Sequence, residues 1–119
     1  MESTMRITLL ISTLAFSLNC FSAGSGTGDQ NIELVEITSW DNLRIKLVNE
    51  QHSSTCVTSG KEKEIVIPKD DNNFDHFMTI ALTAFTTNKK IYMWLDNDSC
   101  VTQGATRYPR PMTMALRNY

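Results

Sequence analysis

The N-terminus places the tightest limit on what this chain can fold into. Arg6 precedes an apolar stretch from Ile7 to Leu18 that only Thr and Ser interrupt, and small residues follow at Ser22-Ala23-Gly24-Ser25-Gly26. A positive start, an apolar run of about a dozen residues and a small-residue exit form the secretory pattern. A signal peptide is therefore expected over residues 1–22. Cys20 and Ser22 stand at the −3 and −1 positions of a cut before Ala23, and lipidation at Cys20 is the alternative processing. The run is too short to cross about 30 Å of hydrocarbon as a helix, so no permanent membrane anchor is expected. Of the 119 residues, roughly 97 remain for the mature protein, enough for one core that needs a covalent staple.

Cysteine chemistry supplies the staple. Once Cys20 has left with the signal, Cys56 and Cys100 remain, and two thiols in an oxidising compartment pair. The loop they close is about 45 residues, worth on the order of 4 kcal/mol in the chain-entropy account. A secreted or periplasmic location follows from the same reading.

Along the mature chain, 23–31 is Gly- and Ser-rich and reads as a flexible lead-in to a domain over 32–119. Ile32–Thr38 is β-branched, Ser39-Trp40-Asp41-Asn42 is turn chemistry, and Leu43-Arg44-Ile45-Lys46-Leu47 alternates strictly; together they predict a hairpin. Glu64–Ile67 is a third strand stopped by Pro68. Phe74, Phe77, Met78, Ala81 and Phe85 then recur at helical spacing, with Ile80, Leu82 and Ala84 widening the stripe. Asn72 or Asn73 suits the N-cap and Asn88 the C-terminal left-handed position. Ile91–Leu95 alternates again, with Tyr92 and Trp94 opposite the aliphatic face. Asp96–Ser99 reads as a turn and 101–111 as a long polar loop. A last strand runs from Met112 to Asn118, with Met112, Met114 and Leu116 expected inward. The order predicts a β-rich α+β domain: an OB-fold-like five-stranded barrel with one helix between strands 3 and 4.

The net charge of −2 leaves no basic face for nucleic acid or an anionic membrane. His52 and His76 have no partners at ligand spacing, so no metal or other cofactor is expected. No serine or cysteine sits in a nucleophile pattern, and the acid pairs Asp70-Asp71 and Asp96-Asn97-Asp98 read as helix-end and turn residues. The chain is thus read as a non-enzyme. Its exposed aromatics point to binding: Trp40 and Asp41 in a turn, Tyr92 and Trp94 on a strand face, and Arg107 and Tyr108 in the long loop. Flat rings beside polar groups suit a sugar, which offers apolar C–H faces and a rim of hydroxyls. The alternative is an exported inhibitor that engages a protein partner through a sheet edge or the 101–111 loop.

Phe74, the Ala81-Leu82 pair, Phe85, Thr86-Thr87 and Ile91-Tyr92-Met93-Trp94 carry a resemblance to the B subunits of subtilase-cytotoxin and pertussis-type toxins. The resemblance implies a disulfide-bonded OB barrel, assembly into a homo-oligomeric ring and recognition of a cell-surface glycan. Where that family has its pocket tyrosine this strand has Leu95, and Cys56–Cys100 is not the family's usual pairing.

Overall fold

The computed structural model describes residues 24–51 and 54–118. The expected signal segment and His52 lie outside them. Six strands and one helix follow in the order β1 (Gly24–Gln30), β2 (Ile32–Ile37), β3 (Leu43–Leu47), β4 (Glu64–Ile67), α1 (Phe74–Thr87), β5 (Ile91–Gln103) and β6 (Thr106–Leu116). They form two antiparallel three-stranded sheets, β1-β5-β6 and β2-β3-β4. The β-rich class with one helix is as expected. The strand count is not: the helix follows the fourth strand, and neither sheet closes on itself.

The extra strand is the segment expected to be a flexible lead-in. Composition argues against a strand there, but pairing with β5 supplies what propensity lacks. Gly26 pairs with Trp94 and Asp29 with Tyr92, and a bulge between them takes up Thr27 and Gly28. Gly28 adopts φ +71°, which glycine reaches without steric cost. Inside the bulge the Thr27 hydroxyl accepts the Met93 N–H at 3.0 Å, in place of a backbone carbonyl.

The expected β2–β3 hairpin is present, closed by Thr38 N–H donating to the Asn42 carbonyl at 2.8 Å. Alternation in β3 buries Leu43, Ile45 and Leu47 and turns Arg44 and Lys46 outward. β4 is buried on both faces. Ile65 and Ile67 join the main core, while Val66 packs with Val101 and Tyr108 in a second cluster.

That second cluster exists because residues 96–111 are not a turn and a loop. They are the long arms of a β5–β6 hairpin, with Val101 opposite Tyr108 and a tip at Gly104-Ala105. Asp96–Ser99 does not reverse the chain. It bulges within β5, where the Asp96 side chain accepts the Asp98 N–H at 2.8 Å. Cys100, in the same irregular stretch, is joined to Cys56 by the expected disulfide. Arg110 pairs with Asp71, tying β6 to the connection before the helix.

α1 buries Phe77, Ala81 and Ala84 against the sheets, and Phe74, Met78 and Ile80 pack at the margin of the core. Phe85, expected within the inward stripe, is exposed, as is Leu82. Asn73 stands at the N-cap position without a side-chain hydrogen bond. Asn88 takes the left-handed conformation at the C-terminus, φ 55°, and its N–H reaches the Ala84 carbonyl. The helix is rich in threonine, and Thr79, Thr83 and Thr87 each donate a hydroxyl to the carbonyl four residues earlier. In β6 a register shift pairs Leu95 with Pro111 while Trp94 faces Thr113. Met112 falls in the bulge and is exposed, Leu116 is exposed, and only Met114 of the three expected residues packs on the core.

Candidate functional site

β5 does what its alternation predicts. Ile91, Met93 and Leu95 are fully buried, so Tyr92 and Trp94 stand on the outer face of the β1-β5-β6 sheet. Trp94 is flanked across the ladder by Gly26 on one side and Thr113 on the other. Neither neighbour has a large side chain, and the indole stays 37% exposed on the central strand of its sheet. Gly26 has a second role. A Cβ at that position would overlap the Tyr92 hydroxyl and lie 3.0 Å from Cζ of the same ring, so the phenol occupies space that any other residue would fill.

Arg117, just past β6, covers Tyr92 with its guanidinium carbon 5.2 Å from the ring centroid. Its Nε donates to Asp29 Oδ1 at 2.8 Å. Asp29 in turn pairs with Tyr92 across the β1–β5 ladder. The carboxylate therefore fixes the arginine, the arginine stacks on the phenol, and the tryptophan lies two residues along the same face of β5. Charged donors and acceptors beside ring faces can take both the hydroxyls and the C–H surface of a sugar.

The other residues singled out from sequence do not join this cluster. Trp40, 55% exposed, and Asp41 occupy the β2–β3 turn. That turn is anchored to the far end of β5, where Gln103 Oε1 accepts from Thr38 Oγ1 at 2.8 Å and from Asn42 Nδ2 at 3.1 Å. Most of the length of β5 separates it from Trp94. Arg107 lies on the hairpin arm, where its carbonyl and N–H bond Thr58. Tyr108 is 6% exposed and is a core residue. Leu95, where the resemblance would look for a pocket tyrosine, points into the main core.

Sequence reasoning missed Gly26 and Asp29, because the lead-in had no strand signature, and it gave Arg117 no role. Among the described residues, no group of three or more His, Cys, Asp or Glu side chains could hold a metal ion. No helix among them is long and apolar enough to cross a membrane. No protein-family model, curated protein or solved structure matches this chain.

Proposed function

We propose that the domain is a non-enzymatic, exported binding module that takes a carbohydrate on the outer face of β1-β5-β6. Trp94 is the stacking platform, and Asp29 and Arg117 are the polar rim. The observation that carries this reading is the exposed indole between Gly26 and Thr113, next to the Asp29–Arg117–Tyr92 row. The Cys56–Cys100 disulfide supports an extracellular or periplasmic setting.

The toxin-B-subunit-like barrel and ring belong to the same proposal. Packing of both sheets on one core, with β4 lying against β6, supports the barrel. Leu82 and Phe85, exposed on α1, are apolar surface that a homo-oligomer would bury. Native mass spectrometry of the mature protein tests the ring, and a strictly monomeric species would remove it.

A glycan array with wild-type protein and Trp94→Ala tests the binding reading. The variant should lose the array signal while its stability changes by about 1 kcal/mol or less, as expected for a side chain this exposed. A wild-type protein silent on the array, or a binding Trp94→Ala variant, would overturn the assignment.

A further inference from the structure

The half of β6 before its bulge is covered: Thr58 bonds the Arg107 main chain, Val66 packs with Tyr108, and Arg110 pairs with Asp71. Beyond the bulge, among the described residues, β6 is the free edge of β1-β5-β6. Natural sheet edges are blunted by charges or prolines. Met112-Thr113-Met114-Ala115-Leu116 has neither, and Met112 and Leu116 are exposed on it. Two hydrogen bonds fix the direction of its main-chain groups. Arg117 N–H donates to the Lys90 carbonyl at 2.8 Å, and Met93 N–H points away from β6, to Thr27 of β1. Successive residues of a strand aim their N–H and C=O groups to opposite sides. Tyr92 and Trp94 therefore bond Ala115 and Thr113 in the ladder, and the main-chain groups of Met114 and Leu116 point outward. Among the described residues, no hydrogen bond outside the ladder takes them.

We propose that this edge pairs with the same edge of a second copy of the chain, antiparallel about a twofold axis at Ala115. In that register Met114 lies opposite the partner's Leu116, and mutual N–H···O=C bonds take up the outward groups of both. Ala115 falls on the axis in a non-hydrogen-bonded pair, the closest approach in an antiparallel ladder at about 4.5 Å between Cα atoms, where a methyl group fits. Met114 and the partner's Leu116 share the core-facing side, so each covers the other's apolar surface. On the outer face Thr113 meets the partner's Arg117, and like charges are not brought opposite each other. A foreign strand could use the outward groups, but only a second copy is matched in both main chain and side chains by residues of this chain. The contact is isologous and closes at two copies. It leaves Leu82 and Phe85 of α1 untouched and does not depend on the proposed ring. Both Trp94 indoles then stand on one face of a continuous sheet, about 20 Å apart by strand spacing and rise. The dimer stands without the carbohydrate reading; with it, the dimer is a bivalent binder.

The test is sedimentation velocity of the mature, oxidised protein from about 1 to 200 μM, with amide hydrogen exchange followed over the same range. A dimer should form within that range, and exchange at Met114 and Leu116 should slow as concentration rises, while Thr113 and Ala115 stay protected throughout. Leu116→Pro removes an outward N–H and no ladder bond, and should weaken the dimer at least tenfold with the melting temperature of the dilute protein kept within a few degrees. Leu116→Lys places a charge on the edge and should do the same, which keeps the test open if proline perturbs the strand. Phe85→Ser and Trp94→Ala should leave the dimer intact, which separates it from the ring and from the carbohydrate site. A protein monomeric up to about 200 μM would overturn the proposal. So would an odd-numbered assembly, dimers unchanged in both Leu116 variants, or exchange at Met114 and Leu116 that ignores concentration.

Discussion

Gly26 is the smallest residue in the candidate site, and much of the site's geometry depends on it. Gly26→Ala puts a methyl group where the Tyr92 hydroxyl lies, so overpacking should cost about 1–3 kcal/mol in a urea melt. The cost should shrink when Tyr92→Ala is added, because the clash then has no second partner; additive effects would show that the contact is not what constrains position 26. Tyr108 shows the opposite case, a residue whose sequence surroundings suggest exposure and whose side chain is core. Tyr108→Ala should cost about 3–5 kcal/mol and unfold much of a domain this size. Tyr108→Phe keeps the volume and should stay within about 1.5 kcal/mol. Equal tolerance of both changes would return Tyr108 to the list of surface residues.

Among the elements, those with their own periodicity were legible and those made by pairing were not. The β2–β3 hairpin, α1 and the inward face of β5 repeat apolar residues at the period of their structure, and β4 is a short Ile-Val-Ile run stopped by Pro68. β1 is Gly-Ser-Gly-Thr-Gly-Asp-Gln and has no such pattern; it is a strand because β5 offers it a ladder and Thr27 completes the bulge. The β5–β6 arms read as turn and loop because Asp, Asn, Ser and two prolines interrupt them, yet Val101, Tyr108 and Val66 bury them against β4. For the candidate site this meant that Trp94 and Tyr92 were visible in the alternation of β5, whereas their partners came from the unreadable segment and from beyond the last strand. At the end of α1, Asn88 holds φ 55°. Asn88→Ala should cost about 1–2 kcal/mol, since alanine pays the left-handed penalty without a local hydrogen bond. Asn88→Gly should be tolerated, and a thermal melt comparing the two checks the origin of the effect.

For the whole molecule, the disulfide joins the connection between β3 and β4 to the bulge of β5, so one covalent link spans the two sheets. Forty-four residues separate its ends, and the chain-entropy account assigns such a loop about 4 kcal/mol. Small domains hold only about 5–15 kcal/mol in total, so urea midpoints with and without reductant should differ widely; coincident curves would show that the link adds little. If the chain is exported, mass spectrometry should find a mature N-terminus between Cys20 and Ser25, and an intact Met1 in the exported fraction would refute cleavage. The bridge also bears on timing. In a reducing cytosol the chain lacks the cross-link that closes its longest constraint, and pulse proteolysis should digest the reduced protein far faster than the oxidised form. A threading channel needs a slack polypeptide, and the far side of the membrane needs a rigid one. For an exported chain, as proposed, an oxidation that happens only after passage would let a single sequence be both in turn.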